Sequence, residues 1–117
     1  IHSEAYAAGE LKHGTISLID KKTPVVSLVT DKKISEKTIS NIKEVKARGA
    51  NVIAIAVEGS ESIEKVADEV FYIPKTNELF TASATLVPMQ LFAYYVAVQR
   101  GCDVDKPRNL AKSVTVE

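Results

Sequence analysis

Three short runs of β-branched and aliphatic residues constrain this chain more than any other feature. They are Pro24–Thr30 (PVVSLVT), Asn51–Val57 (NVIAIAV) and Val70–Ile73 (VFYI). A strand with one wet face alternates apolar and polar residues. These runs scarcely alternate, so both faces should be covered, the pattern of a parallel sheet. Parallel strands need crossovers, and helical patterns stand where the crossovers must run. Ser35 is placed as an N-cap, and Glu36 lies in a first turn, where the helix dipole favours an acid. Ile39, Ile42 and Val45 recur at helical spacing, and Arg48-Gly49 supplies a cationic last turn and a C-terminal glycine. A shorter helix is expected over Glu61–Asp68 after Ser60, burying Ile63 and Val66. Strand, helix, strand, helix, strand predicts an α/β layered domain with right-handed crossovers.

The flanks extend this pattern. Ser3 to Ala8 is rich in helix formers, and Ile16 to Ile19 reads as a first apolar run of the sheet. A long apolar helix is expected from Ala82 to Arg100, ended by Gly101, with Pro88 either in its first turn or kinking it. Leu86, Met89, Leu91, Phe92, Tyr94, Tyr95, Val96 and Val98 leave that helix apolar around most of its circumference, so we expect one face on the sheet and another on a neighbouring domain or subunit. The polar, turn-rich 103–109 follows. The last residues could simply fray as termini do, but the alternation from Ala111 to Val116 reads as a segment that docks onto something. The chain opens at Ile1 inside a helix-like stretch, so we expect a piece of a longer polypeptide.

Bulk properties narrow the function classes. Fifteen basic and fifteen acidic residues balance, whereas a dedicated nucleic-acid or anionic-membrane binder would carry a basic stripe. The single cysteine, Cys102, allows no intramolecular disulfide, which favours a reducing cytoplasm. No apolar run approaches the roughly 18–20 residues of a membrane span. His2, His13 and Cys102 lack metal-ligand spacing, and no cofactor fingerprint is present.

Chemistry concentrates in two places. Gly9-Glu10-Leu11-Lys12-His13-Gly14 packs an acid, an amine and an imidazole between two glycines. An imidazole gives and takes protons near neutral pH, and Glu10, three residues before His13, is placed to orient the ring. Near the end, Lys112 lies between Leu110-Ala111 and Val114. An apolar setting desolvates an amine and lowers its pKa, raising the neutral fraction that can attack a carbonyl and form a Schiff base. Against these, a histidine near a turn is commonly structural and most lysines are solvated. Ser60-Glu61-Ser62 follows a strand where phosphate can bind, but it lacks a glycine-rich loop, and helix capping explains the serines better. Asp31-Lys32-Lys33 reads as a solvated turn.

The two ends together carry a resemblance. Ala5-Tyr6-Ala7-Ala8-Gly9-Glu10-Leu11-Lys12-His13-Gly14, then Leu18-Ile19-Asp20, resembles the second sugar-isomerase (SIS) domain of the glucosamine-6-phosphate synthase family. The ending from Pro107-Arg108-Asn109-Leu110-Ala111-Lys112-Ser113 to Glu117 resembles that family's C-terminal tail. The resemblance implies a three-layer α/β/α, flavodoxin-like SIS domain with a parallel sheet, truncated at its N-terminus. Residues 1–105 would be the C-terminal portion of that domain and 106–117 an active-site tail. It further implies conversion of fructose 6-phosphate and glutamine-derived ammonia to glucosamine 6-phosphate, without a cofactor, in a cytoplasmic homodimer. The partners would be a glutaminase domain and a first SIS domain of the same protein. By the same resemblance His13 opens the sugar ring in a neighbouring subunit's site, Lys112 forms the Schiff base, and the backbone at Ala111 lines the sugar. The family's enolising glutamate, its main phosphate loop and the first strand and helix of this module lie outside the chain. A 117-residue piece alone should therefore be inactive. Thr15 stands where the family usually has proline. The competing expectation is a non-catalytic SIS module that senses a phosphosugar in a regulator.

Overall fold

A computed structural model describes residues 1–107. Two compact units divide the chain, Ile1–Thr85 and a second that begins at Leu86. Three parallel strands form the sheet in the first unit: β1 (Pro24–Val29), β2 (Asn51–Val57) and β3 (Glu69–Ile73), in the order β1-β2-β3. The register pairs Val25 with Val52 and Val29 with Ala56 across β1 and β2, and Ala54 with Val70 across β2 and β3. Parallel pairing is what the unalternating apolar runs required.

Helix α1 (Ser35–Lys46) makes the first crossover and buries Ile42 and Val45 against the sheet face that carries Val29, Val52, Ala54 and Ala56. Its start differs from expectation. Ile34, not Ser35, holds the cap position, because Thr38 already bonds back to the Ile34 carbonyl; the Ser35 hydroxyl instead donates to the Lys32 carbonyl. The helix ends as its sequence predicts. Arg48 Nη1 donates to the Glu44 carbonyl at 2.9 Å, and Gly49 turns away with φ 93°.

The second crossover is shorter than the helix expected over Glu61–Asp68. It is a 3₁₀ turn, Glu61–Lys65, that buries Ile63 completely and half-buries Val66. The chain leaves helical geometry at Val66 because Asp68 is already tied to the start of β2. Ser60 contributes only its carbonyl to the start of this turn, so hydroxyl capping does not account for it.

Two expectations at the front of the chain are also corrected. Residues 1–7 form no regular element, and a 3₁₀ helix begins at Ala8, where helix formers alone had suggested Ser3. Six residues are too few to nucleate an α-helix without packing, and Ser3–Ala7 are exposed. The run Ile16 to Ile19 is not a strand but lies in and just after a second 3₁₀ turn, Thr15–Leu18. Its apolar side recurs every third residue, with Ile16 buried and Ile19 packed on the core while Leu18 is 70% exposed.

Both sheet faces were expected to be covered. One is. On the other, Ile55 and Ile73 are buried, but Leu28 is 48% and Phe71 55% exposed. Helix α2 runs Glu78–Gln99, starting four residues before the expected Ala82 because Asn77 Oδ1 accepts the Leu79 N–H and caps it. Pro88 falls in mid-helix rather than in the first turn. Within this chain Thr85 is the buried residue of α2, while Leu86, Val87, Leu91, Tyr94 and Tyr95 are exposed. An apolar surface that runs right round a helix cannot be covered from one side. By length and composition α2 also meets the requirement for crossing a membrane, at 22 residues and a best-window mean hydropathy of 1.3. That corrects the count of uninterrupted runs, which Thr81, Ser83, Thr85 and Gln90 had broken up.

Candidate functional site

The hexapeptide from Gly9 to Gly14 lies in the 3₁₀ helix Ala8–His13. A 3₁₀ helix has three residues per turn, so side chains at i and i+3 stand directly above one another. That periodicity sorts the motif. Leu11 packs against the core, and Ile16 in the next turn is buried in it. Lys12 points to α1, where its Nζ meets Glu44 Oε1 at 2.9 Å. Glu10 and His13 share the third row, with Nδ1 of the ring 3.1 Å from Glu10 Oε2. Their side chains are 65% and 71% exposed.

Gly14 ends this helix at φ 147° and ψ −57°, a conformation that side-chain-bearing residues rarely adopt. Its carbonyl accepts both the N–H and the hydroxyl of Ser17, at 3.0 and 2.8 Å, which locks the two 3₁₀ turns together. The turns border a shallow, open depression lined by Tyr6, Glu10, His13, Thr15, Ser17 and Leu18. At its rim the Tyr6 hydroxyl donates to Glu4. That bond holds the phenol above its usual pKa and, with a second bond from His2, holds the carboxyl below its own.

Glu10 and His13 are therefore brought together as their spacing predicts. Lys12 serves as a tether instead of joining them. Lys112 and Ala111 lie outside the described residues. Glu44 escaped the sequence reading: it is half-buried on α1, 32 residues from its partner, and no local pattern marks it. Asp31 behaves as expected, its Oδ1 capping the Lys33 N–H at 2.8 Å in a solvated turn. Cys102 is exposed, and no group of metal-ligating side chains occurs among the described residues.

A parallel sheet with helical crossovers thus carries beside it an acid–imidazole pair on a glycine-bounded turn. The chain belongs to the SIS domain family, whose model matches residues 1–100. Its fold is accordingly the three-layer α/β/α class. Over all 117 residues it is 58% identical to the glutamine–fructose-6-phosphate aminotransferase (isomerizing) of Clostridium tetani, covering 19% of that protein. It is 60% identical, over the same span and again 19% of the relative, to the enzyme of that name from Caldanaerobacter subterraneus. A solved structure, the C-terminal domain of glucosamine-fructose-6-phosphate aminotransferase from Francisella tularensis, superposes with a TM-score of 0.76 at 36% identity. The match covers 89% of this chain and 29% of that one. The chain thus spans about a fifth of the length of the curated relatives it matches.

Proposed function

We propose that this chain supplies the ring-opening group, His13, to the isomerase site of an enzyme that makes glucosamine 6-phosphate from fructose 6-phosphate and glutamine-derived ammonia. The observation that carries the reading is the setting of His13. Its imidazole stands at an open depression on a turn held from behind by Leu11 and Ile16 and from the side by Lys12 and Glu44. The group is thus exposed to a ligand while its backbone is fixed. Opening a cyclic ketose breaks the bond between C2 and the ring oxygen. The anomeric hydroxyl gives up a proton, a carbonyl forms at C2, and the ring oxygen gains a proton. One imidazole beside the sugar can carry such a transfer.

His13 is 71% exposed, and a site that excludes water needs further walls. In this reading they come from the tail that bears Ala111 and Lys112 and from the other subunit of a cytoplasmic homodimer. The glutaminase and first SIS domain of the same protein supply ammonia and hold the phosphate. In this reading a neighbouring part of the protein covers the exposed apolar side chains of α2. Neither nucleic acid nor a cofactor takes part.

Replacing His13 with Ala in the full-length protein tests the reading. Turnover of fructose 6-phosphate should fall by about 10²–10⁴ while the fold survives. Hybrid dimers of that variant with subunits dead elsewhere in the site should recover part of the activity. Near-normal turnover would remove His13 from the mechanism, and sugar-phosphate binding with no turnover in the unaltered protein would favour a sensing module.

A further inference from the structure

We propose that Glu10 is the positioning residue for His13: it fixes which ring nitrogen carries the proton and so makes Nε2 the nitrogen that works on the sugar. The inference rests on the ring-opening role given to His13 above. An ionised carboxylate only accepts hydrogen bonds, so the contact of 3.1 Å between Glu10 Oε2 and His13 Nδ1 requires the proton to be on Nδ1. Neutral His13 then presents a lone pair at Nε2, which has no protein hydrogen-bond partner among the described residues. Free histidine side chains in water favour the opposite tautomer, with the proton on Nε2. Glu10 therefore reverses the default and turns an exposed imidazole into a base directed away from its own helix.

The local backbone makes the pairing geometric rather than incidental. In an α-helix, residues three apart are offset around the axis; in the 3₁₀ helix Ala8–His13 they eclipse, which stacks the carboxylate on the ring. The same helix directs Leu11 into the core and Lys12 to Glu44, so the backbone carrying both partners is held at two points. An exposed carboxylate–imidazole contact adds little to stability in water. Its value lies in orientation, and it grows when bound sugar and neighbouring segments displace solvent from the ring.

Three variants of the full-length protein separate this inference from the reading beneath it, because Glu10 is exposed and its side chain bonds to His13 alone among the described residues. Glu10→Ala should lower kcat on fructose 6-phosphate by about 10–100-fold, the cost typical of removing a carboxylate that orients a metal-bound histidine, with KM nearly unchanged. Glu10→Gln should fall between wild type and Glu10→Ala, because its amide can accept from Nδ1 but can also flip and donate to it. Nitrogen chemical shifts of neutral His13 should report the Nδ1–H form in wild type and a shift toward Nε2–H in Glu10→Ala. His13→Ala serves as the reference. If it leaves turnover intact, the ring-opening role itself fails. If His13→Ala abolishes turnover while Glu10→Ala keeps kcat within about twofold or leaves His13 in the Nδ1–H form, the positioning role of Glu10 is overturned and that of His13 stands.

Discussion

Asp68 and Val52 exchange two hydrogen bonds across the end of the second crossover. The Val52 N–H donates to Asp68 Oδ2 at 2.7 Å, and the Asp68 N–H donates to the Val52 carbonyl at 2.9 Å. The other carboxylate oxygen takes Lys46 Nζ from the last turn of α1 at 2.5 Å. One short side chain thus ties the end of α1, the start of β2 and the entry to β3.

These partners hold the Asp68 carboxyl below its usual pKa, the Lys46 ammonium first and the Val52 N–H second. A lowered folded value means that the unfolded chain binds the proton more readily. The stabilisation is therefore complete above the ordinary aspartate value of about 3.9 and is lost as pH falls through the folded one. Wild type and Asp68→Asn should differ in unfolding midpoint at neutral pH and converge in acid. Denaturation curves that stay parallel down to about pH 2 would show that Asp68 is not the linked group.

Ile63 is wholly buried in the turn that replaces the expected helix. Truncating it to Ala should cost about 2–5 kcal/mol, and to Val about 0.5–1.5 kcal/mol. Urea titration of both variants checks this, and a small loss in the alanine variant would mean that the turn collapses into the space.

The two glycines that bound the histidine motif should respond oppositely to alanine. Gly14 has φ 147° and open space where a Cβ would go, so the cost of Gly14→Ala is backbone strain alone, about 1–3 kcal/mol. Gly9 lies within the 3₁₀ helix, also with open space around a Cβ, and Gly9→Ala should stabilise by about 0.4–1 kcal/mol through a less flexible unfolded chain. Thermal melts of the pair decide it; equal effects would refute the backbone argument.

The family resemblance implies that Lys112 forms a Schiff base with the open-chain sugar. Arginine keeps a cation of similar reach but cannot form an imine, because guanidinium stays protonated. The full-length Lys112→Arg variant should still bind sugar phosphate, lose isomerisation, and no longer be trapped on the tail by borohydride. Trapping at Lys12 instead would place the imine elsewhere, although Lys12 is engaged by Glu44.

Periodicity and residue type were enough to determine the parallel sheet, the helix of Ile39, Ile42 and Val45, and the pairing of Glu10 with His13, because each leaves a pattern that can be read within a few residues. The same local signals misplaced the starts of α1 and α2, read Ile16 to Ile19 as a strand, and extended a 3₁₀ turn into a helix over Glu61–Asp68. Tertiary contacts decided those points. Asp68 stops the second crossover because Val52 and Lys46 reach it from elements 16 and 22 residues away. Lys12 leaves the face shared by Glu10 and His13 because Glu44 on α1 comes within reach only once the chain has folded. Such partners leave no periodic trace in the sequence, since the distance between them is set by the packing of helix on sheet and not by position along the chain.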